Sequence, residues 1–592
     1  MTKRICFWDI LRLCLAGWML AVAIEWLFLF PVDLSGVEST LRVRPWRMVS
    51  VAVLGCLLLW PFSNAQRWVF PAAIGLSAFL ALLSSFSWPF LGLCVSAEII
   101  LVFYALRGWN NRPLPRYRVQ KVQPFWGWTT VGLALVFFLV IALWTLGRYF
   151  SFSSPTYDFG IFSQMFSYMH RTGQPLTTLE RDGLLSHFAV HVSPIWYLLL
   201  PFYALYPRPE TLQILQAAVM ASAVIPLWLL GKQLGFTGPG RTLLCALLLL
   251  QPAFGGGAGY DIHENCLLTP LLLWLFWAAG QKNTACTLLF AVLTLGVKED
   301  AAVYVAVFGL YLLLERRKTG LWMLMLSLLW FGAVTGYLNR FGEGVMAYRY
   351  GNLSADGTLL GVVTGALRNP LKVLHECADQ EKLTYLMMTL GPLLALPLFT
   401  RRYQRYVLLI PWILVNLMPD YQYQHDLFFQ YSFGSQAFLL YLTALNLREL
   451  RCRFPVLLLA AAVSLGSFSA TVVPQAAAYT RQSIHYRAYY DDIRETLNMI
   501  PTDAAVTAST FYTAYLSDRA VLFDLSYASR DHLLESEYIV VSHTDSAKQH
   551  GGQENLTSLL YRSGYTPWIS LDGVLTVWIQ GIPVDSPTLR AQ

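Results

Sequence analysis

Charged residues are scarce in this sequence of 592 residues. Asp, Glu, Lys and Arg together make up 13% of it, whereas a soluble domain carries about 25%. Hydrophobic residues make up 56% of the chain. Apolar runs of roughly 17 to 25 residues, the length that a helix needs to cross a bilayer, recur from Ile10 to about Val472. These features exclude a soluble globular protein and predict a polytopic membrane protein.

Other sequence patterns are missing as well. The nine cysteines form no CxxC pair and none follows Val472, which excludes a disulfide-stapled domain and a thiolate zinc site. No basic stripe alternates with aromatic residues, so the formal net charge of +7 predicts no nucleic-acid partner and is instead a topology signal. No Gly-rich phosphate loop and no long internal repeat is evident.

Apolar segments predict about fifteen membrane helices. They lie near 10–32, 47–62, 68–85, 88–106, 125–147, 209–231, 241–259, 265–280, 283–297, 300–315, 319–338, 383–400, 405–418, 428–446 and 454–472. The first of them follows a basic N-terminus but is too long for a signal peptide, so we expect it to be retained. The run HVSPIWYLLLPFYALYP, 191–207, is interrupted by prolines and is predicted to be interfacial or re-entrant.

Clusters of Lys and Arg give the orientation, because such clusters favour the cytoplasmic side. Alternation of the helices places nearly all of them on one side: 107–121, Lys232 with Arg241, 316–318, 401–405 and 448–453. Only the loop with Arg42, Arg44 and Arg47 disagrees. We therefore expect a multi-pass protein of a bacterial plasma membrane, with a cytoplasmic N-terminus.

The same alternation divides the chain into three parts. Residues 1–124 form an N-terminal four-helix membrane extension with a basic cytoplasmic loop. Residues 125–472 form a membrane core with large outer loops at 148–208 and 339–382. Residues 473–592, which contain several short strand patterns such as EYIVVSH, form a small extracytoplasmic α/β domain. The predicted fold class is mainly α, a helix bundle with this domain attached.

One acidic residue stands in the first large outer loop. Asp158, in SSPTYDFGIFSQ, follows the fifth predicted helix. Its carboxylate could accept a proton from an acceptor hydroxyl. The alternative is that it caps the helix that follows at Phe159.

Two histidines lie four residues apart in the same loop. His187 and His191, in SHFAVHVSPIW, would share one face of a helix. That spacing occurs in metal sites, but these side chains could equally contact phosphate or sugar, or bond to the backbone at the membrane interface.

Two further motifs place ionisable groups at the ends of apolar runs. In YDIHE, Asp261 and Glu264 would be nearly eclipsed on a helix with His263 about 100° away, and the glycines at 255–259 predict that the preceding helix ends or unwinds. In VKED, Glu299 and Asp300 lie at the membrane boundary, where ionisable residues are usually functional. The four carboxylates, Asp261, Glu264, Glu299 and Asp300, are candidate ligands for Mg²⁺ or Mn²⁺. Helix-end charges in water are the alternative.

Basic and aromatic residues supply candidate substrate contacts on the same side. Lys298 is a candidate phosphate partner, and Arg349, Tyr423 and His425, in AYRYGN and YQYQHD, could bind phosphate or stack on sugars. An aromatic belt at the membrane interface is the alternative. We predict that the outer acidic and histidine residues converge on one cavity.

With these residues identified, the chain resembles the DUF2079 family of multi-spanning membrane proteins over roughly residues 125–580. The resemblance rests on YDFGIFSQ, HVSPIWYLLLPFYALYP, DIHENCLLTPLLLW, VKEDAAVYVAVFGLYL and YQYQHDLFFQYSFGSQ. That family is similar to the GT-C glycosyltransferases, which implies a polyprenyl-phosphate-linked sugar donor and a carboxylate in the first outer loop, the position of Asp158. The acceptor would be a glycan, a lipid or a protein.

The resemblance favours a sugar transferase, but two other classes remain open. A transporter or flippase would use the same charges as a translocation path, although transporters usually show paired broken helices. A non-catalytic envelope scaffold would use the C-terminal domain to bind partners.

Overall fold

The chain is described by a computed structural model for residues 7–29, 37–60, 68–76, 94–95, 97–99, 101–102, 105 and 124–581, except 355, 401 and 451. It is mainly helical, with a small sheet near its C-terminus. Much of the predicted helices 68–85 and 88–106 lies outside the described residues, as do the basic loop 107–121, Arg401 and Arg451.

Four helices in the described residues are long and apolar enough to cross a membrane: Pro124–Phe150, Pro209–Gln233, Thr319–Phe341 and Arg453–His485. A fifth span results if Gly238–Leu249 and Pro252–Ala258, which are bent by 55°, count as one. The expectation of about fifteen spans is therefore not confirmed. The predicted helix 10–32 corresponds to Phe7–Leu29, which has the same length. Several of the other predicted helices are present but shorter: Pro45–Leu59, Leu268–Gly280, Thr284–Leu295, Ala301–Leu314, Gln380–Leu390 and Phe433–Leu447.

Two helix predictions need correction. The segment predicted as a helix at 405–418 consists of a 3-10 stretch Tyr403–Leu409, one α-turn and a π-turn Ile413–Leu417, because Pro411 lacks a backbone donor. The last predicted helix does not end at 472. It continues to His485 through PQAAAYTRQSIH, where alanines favour the helix and Pro474 is tolerated within it.

Shorter helices and turns fill the outer segments. Between the first and second long spans lie Ile161–Thr172 and Trp196–Tyr203. The second of these contains Pro201 and has only eight residues, which is too short to span and agrees with the interfacial prediction for 191–207. The loop 339–382 contains Leu359–Arg368 and Pro370–Cys377.

The helix before YDIHE ends within the glycine-rich segment, as the sequence predicts. Gly255, Gly256 and Gly257 lie inside the Pro252–Ala258 helix and Gly259 is its C-cap, while the chain bends before that helix, at Leu250 and Gln251. A Cβ at Gly255 would collide with the Phe468 ring, and one at Gly256 with the Leu427 carbonyl oxygen. The glycines therefore allow close packing of neighbouring backbones, as small residues do in membrane bundles.

Basic groups and the predicted site lie at opposite ends of the short core helices. The Ala301–Leu314 helix begins after Asp300 and ends before Glu315, a rise of about 20 Å. At its far end Glu315 lies 3.6 Å from Arg402, and Arg405 lies 2.7 Å from Glu449. The separation of basic loops from acidic and histidine motifs is thus present in the fold.

The N-terminal helices explain the one loop that disagreed with the charge pattern. Phe7–Leu29 packs along Pro45–Leu59. Glu25, only 1% exposed, accepts a hydrogen bond of 2.6 Å from Arg47 and one of 2.9 Å from the Arg44 backbone. Because Arg47 is paired within the protein, it is a weaker topology signal than a free arginine.

Two short strands, β1 Leu176–Thr177 and β2 Leu185–Ser186, lie in the first large loop. The C-terminal sheet has five strands, β3 Val506–Ala508, β4 Leu522–Asp524, β5 Tyr538–Ser542, β6 Tyr565–Leu571 and β7 Leu575–Gln580. Their order in the sheet is β4-β3-β5-β7-β6. β4, β3 and β5 are parallel, and β7 and β6 are antiparallel to their neighbours. Helices Arg487–Asn498, Arg530–Glu535 and Gln553–Arg562 pack with them. The sequence missed β6, whose Pro567 is tolerated because this strand is at an edge.

The first outer loop packs against this sheet domain. A small two-stranded ribbon, Leu176–Thr177 with Leu185–Ser186, lies in the loop. Thr156 Oγ1 lies 2.7 Å from Thr513 Oγ1, and Thr178 Oγ1 donates to the Leu522 carbonyl oxygen at 2.5 Å. The C-terminal domain is therefore in direct contact with the segment that carries Asp158.

Candidate functional site

Asp158 lies in a short turn between a long membrane helix and an outer helix. The turn Thr156–Gly160 has π-type hydrogen bonding and an extended residue, Tyr157, inside it. The following helix, Ile161–Thr172, has Gly160 as its N-cap and no side-chain cap. The alternative that Asp158 caps this helix is therefore wrong, and its half-buried carboxylate is directed to other groups.

Those groups come from two distant parts of the chain. The Tyr260 hydroxyl donates a hydrogen bond to the Asp158 carboxylate, and Gln430 Nε2 lies 3.5 Å from Asp158 Oδ2. Burial raises the pKa of Asp158 to about 6, although the charge of Lys298 and the Tyr260 hydrogen bond act in the opposite direction. Asp158 is thus largely ionised at neutral pH, and it is a stronger base than the ordinary Asp, whose pKa is near 3.9.

Lys298 is the central cation of the cluster. It is 2% exposed and lies between the Thr284–Leu295 and Ala301–Leu314 helices. Its Nζ is 3.4 Å from Glu264 Oε1. Burial alone would lower the pKa of Lys298, but the nearby Glu264, Glu299 and Asp300 raise it. The lysine is therefore held in its charged form.

The histidines lie around this lysine. His187 begins a 3-10 turn that ends at Ala189. The His191 backbone N–H still donates to the His187 carbonyl oxygen at 2.9 Å, and the centroids of the two imidazole rings lie 6.0 Å apart, so the two side chains are close together although no regular helix connects them. His187 Nδ1 lies 2.8 Å from Glu180 Oε2, and His191 Nδ1 lies 2.8 Å from Glu299 Oε1. Each ring is oriented by its own carboxylate, which leaves the Nε2 atoms as the second polar group of each ring.

The charges at this site decide which groups are ionised. Burial and Lys298 lower the pKa of His191 to about 4, so its imidazole is neutral at pH 7. Burial would raise the pKa of Glu299, but His191 and Lys298 lower it.

Burial raises the pKa of Glu264 to about 7, against the effect of Lys298 and His187. His263, whose ring packs 5.5 Å from that of Phe162, has its pKa lowered by burial and by Lys298.

Asp261 does not join the other carboxylates. Its Oδ2 lies 3.0 Å from Arg148 Nη2, and its Oδ1 accepts hydrogen bonds from Ser154 and Gln213. YDIHE is extended up to His263, and a 3-10 turn begins at Glu264, so the expected eclipsed pair on a helix is absent.

These positions bear on the metal site suggested by the sequence. The described part of the chain contains no group of three or more His, Cys, Asp or Glu side chains placed to hold a metal ion. With Asp261 paired to Arg148 and Glu299 to His191, the four carboxylates do not fit a shared Mg²⁺ or Mn²⁺ site.

Arg349 is a second cation near the cluster, and its charge acts on His263 and Asp300. It lies in the 3-10 turn Ala347–Tyr350, with its guanidinium 4.8 Å from the Tyr421 ring centroid and 5.2 Å from that of Tyr431. Tyr431 is also acted on by the charges of Lys298 and Asp158. The tyrosine therefore lies between the arginine and the buried cluster.

The two remaining candidates differ in their placement. The ring of Tyr423 lies 4.4 Å from that of Phe429, which lies 4.7 Å from that of Tyr260. The Tyr423 ring therefore contacts Phe429, which in turn contacts Tyr260, the tyrosine near Asp158. The charges that act on His425 are those of Lys382, Asp379 and Asp420, so the structure does not bring His425 to the Lys298 cluster.

Burial divides the clustered residues into a floor and a rim. The buried floor consists of His187, His263, Glu264, Lys298 and Glu299. The half-buried rim consists of Asp158, His191, Tyr260, Asp300, Arg349 and Tyr431. The Asp158 carboxylate and the Arg349 guanidinium are therefore partly exposed, whereas the Lys298 ammonium is fully buried.

Several functional contacts were not identified from the sequence. Tyr260, Gln430 and Tyr431 contact or face Asp158, and Glu180 and Arg148 orient His187 and Asp261. Gln430 and Tyr431 do lie in the motif YQYQHDLFFQYSFGSQ, but nothing in the spacing indicates that they meet a residue more than 270 positions away.

Comparison with known families supports the resemblance found in the motifs. Comparison with curated proteins finds no match. A family model described as a predicted membrane protein, DUF2079, matches residues 148–576, which include the Asp158 turn, the Lys298 cluster, the Arg349 turn and the C-terminal sheet. The chain belongs to the DUF2079 family of membrane proteins.

Proposed function

We propose that the chain is a membrane glycosyltransferase that moves a sugar from a polyprenyl-phosphate donor to an acceptor hydroxyl on the outer face of the membrane. The observation that carries this proposal is the half-buried Asp158 carboxylate, which lies 3.5 Å from Gln430 Nε2 and whose ionisation is favoured by the charge of Lys298 and by the Tyr260 hydroxyl. A base next to a cation suits a reaction in which a hydroxyl loses a proton while a phosphate leaves.

The proposed step is a displacement at the sugar C1 atom. The acceptor oxygen forms a bond to the sugar C1 and gives its proton to Asp158. The bond from C1 to the phosphate oxygen breaks, and the lipid phosphate leaves with its electron pair. Lys298 and Arg349 stabilise the negative charge that develops on that phosphate, as preorganised cations do in a site shielded from water.

The two histidines have a separate role in this proposal. His191 is held by Glu299 and His187 by Glu180, which directs Nε2 of each ring away from its carboxylate partner. The neutral His191 imidazole can bond sugar hydroxyls or phosphate oxygens without adding positive charge, whereas Glu180 raises the pKa of His187 against the effect of burial, so this ring favours an anionic group such as phosphate. Because the carboxylates do not fit a metal site, no step depends on a metal.

The test is transfer from radiolabelled polyprenyl-phosphate sugars by the purified protein in membranes. Asp158→Asn keeps the shape of the side chain and removes the base, so we expect transfer to fall by about 100-fold or more while the donor lipid still binds. Asp503→Asn is the matched control, because Asp503 is exposed on the C-terminal domain. Full turnover by Asp158→Asn would remove this residue from the catalytic role.

A second variant separates binding of the donor from chemistry. Lys298→Ala should weaken donor binding, but it also leaves buried carboxylates unpaired. Arg349→Gln avoids this problem because Arg349 is half-buried and stacks on tyrosines. We expect it to raise KM for the donor. If the wild-type protein transferred no sugar but moved lipid-linked sugars across vesicle membranes, the transporter alternative would replace this proposal.

A further inference from the structure

A cavity lies in the C-terminal domain, apart from the Lys298 cluster. Its volume is about 400 Å³, within the range of about 300–1,000 Å³ that is usual for small-molecule sites. It lies at the carboxyl ends of β3 and β5, where Thr510 and Ser542 line it, together with Asp545 and the Arg487–Asn498 helix.

The sheet topology makes this edge a favourable place for a ligand. From the central strand β3 the chain goes to β4 on one side, and then crosses to β5 on the other side. The loops that follow β3 and β5 therefore leave in different directions and open a crevice between them. In open sheets with parallel strands, ligands bind in the crevice outside the carboxyl ends at such a switch point.

Aromatic rings form one wall of the cavity. The Phe152 ring lies 5.6 Å from that of Tyr512 and 6.3 Å from that of Tyr490. Phe152 has a φ of 49°, which is costly for a non-glycine residue and persists only where packing enforces it. Two further aromatic side chains of the wall, Tyr489 and Phe511, are 44% and 49% exposed.

Hydroxyl groups also line the cavity. Ser509 Oγ accepts a hydrogen bond of 3.0 Å from the Ser542 backbone, and Ser542 Oγ lies 3.0 Å from Thr544 Oγ1. The one acidic group is Asp545, whose Oδ1 accepts a hydrogen bond from the Ala547 backbone. Among the described residues around the cavity none is Lys, Arg or His, so the cavity does not suit phosphate or another anion.

We propose that this cavity binds a saccharide. A sugar ring has an apolar face of C–H groups and a rim of hydroxyls, and the lining of the cavity combines aromatic rings with hydroxyl and carboxylate groups. The ligand is neutral or carries an amino group, because the described residues that line the cavity include one carboxylate, Asp545, and no Lys, Arg or His. This site does not depend on the proposed transfer reaction.

The cavity is connected to the Asp158 turn. The carbonyl oxygen of Thr510, which lines the cavity, accepts a hydrogen bond of 3.2 Å from Thr156, two residues before Asp158. A saccharide bound here would therefore contact the loop that also holds the outer turn in place.

Binding can be measured on the full-length protein in detergent, without any lipid donor. The probes are the methyl glycosides of glucose, galactose, mannose and N-acetylglucosamine, together with maltotriose, with inorganic phosphate as the anionic comparison. Saturation-transfer NMR identifies the binders and calorimetry gives Kd. We expect at least one saccharide to bind and phosphate not to bind.

Three variants place the binding in the cavity. Phe511→Ala and Tyr489→Ala should each raise Kd by about tenfold, which is the effect of removing one aromatic side chain that contacts the ligand. Tyr561→Ala removes an aromatic side chain of the same domain that is 56% exposed and does not line the cavity, and it should bind like the wild type. All three positions are exposed, so the thermal midpoint should stay unchanged.

Because this assay contains no donor lipid, its outcome is independent of sugar transfer. Absence of binding by every saccharide would overturn the proposal. Equal affinity in Phe511→Ala, Tyr489→Ala and the wild type would also overturn it, since the saccharide would then be bound elsewhere. Binding of phosphate in preference to saccharides would show that the cavity recognises an anion and would reject the assignment.

Discussion

At the scale of single residues, the environment of Asp158 decides what its carboxylate can do. Sequence alone suggests an exposed or cation-paired Asp with a pKa near 3.9. In the fold, burial raises this pKa to about 6 in spite of Lys298. A base is more effective as its pKa approaches the working pH, so burial improves the residue for the proposed role.

This pKa predicts the pH dependence of transfer. The active form of a base is deprotonated, so the rate should be constant well above pH 6 and should fall as pH decreases through the pKa. At pH 5 it should be about tenfold below the plateau. The measurement is initial rate against pH between 5 and 8 at saturating donor. The residual rate of Asp158→Asn should lack this dependence, and an identical profile in that variant would assign the titration to another group, such as Glu264.

Asp261 has a different role from the one that its motif suggests. It is fully buried and forms an ion pair of 3.0 Å with Arg148, which is 9% exposed. Removing one member of a buried pair leaves an uncompensated charge. We therefore expect Asp261 to stabilise the fold and not to bind a metal ion.

We predict that Asp261→Ala lowers the free energy of unfolding by about 3–5 kcal/mol, measured by chemical denaturation in detergent micelles. Asp503→Ala, an exposed position, should change it by less than about 0.5 kcal/mol. Adding a chelator to the wild type should not reproduce the effect of Asp261→Ala. A similar loss with chelator alone would restore the metal interpretation.

At the scale of elements, the outer turn Thr156–Gly160 depends on the C-terminal domain for its position. Thr513 contacts this turn at both ends: its Oγ1 is 2.7 Å from Thr156 Oγ1, and a Cβ at Gly160 would lie 2.8 Å from the same oxygen. Thr513 is also tied to the Thr510 carbonyl oxygen, so it cannot move away without breaking a bond. The turn and the C-terminal domain therefore pack closely at Gly160, where a larger side chain would collide with Thr513.

Gly160→Ala tests this contact. The added methyl group should push the turn from Thr513 and displace Asp158, so we expect transfer to fall by about tenfold or more, since small misplacements of a reacting group reduce rates strongly. Gly332→Ala is the control, because a Cβ there meets nothing within 4 Å. Equal activity of the two variants would show that Thr513 does not position Asp158. Donor binding, measured separately, should stay unchanged in both.

At the scale of the whole molecule, the fold places the C-terminal domain on the same side as the site. His532 of that domain lies 2.5 Å from Asp182 of the first outer loop, and the basic groups Arg402 and Arg405 lie at the other end of the core helices. The charge pattern assigns the basic end to the cytoplasm. The site and the domain would then both be extracytoplasmic.

Cysteine labelling on intact cells tests this topology. Arg530→Cys should react with a membrane-impermeant maleimide without permeabilisation. The native Cys452 is exposed at the basic end, and it should react only after permeabilisation, which makes it an internal control. Labelling of position 530 only after permeabilisation would reverse the orientation, and with it the outer location of the proposed reaction.

The sequence by itself determined the class of protein and the groups that carry charge. Composition and apolar runs identified a membrane protein, because a water-soluble fold would leave many of these apolar residues exposed to water. Alternating strand patterns identified four of the five C-terminal strands, since a period of two is a local property. The motifs identified Asp158, Lys298 and the histidines as candidates, because ionisable residues beside apolar runs are rare.

Only the tertiary structure decided which candidates act together. Asp261 and Glu264 are three residues apart, yet one pairs with Arg148 and the other with Lys298, because an extended segment turns their side chains apart. His425 looked equivalent to His191, but it is surrounded by other charges. Span lengths also depend on packing: apolar segments bury themselves against neighbours as short or bent helices as readily as they cross a bilayer. Partners such as Tyr260 and Gln430 come from distant segments, and no local pattern in a single sequence encodes that proximity.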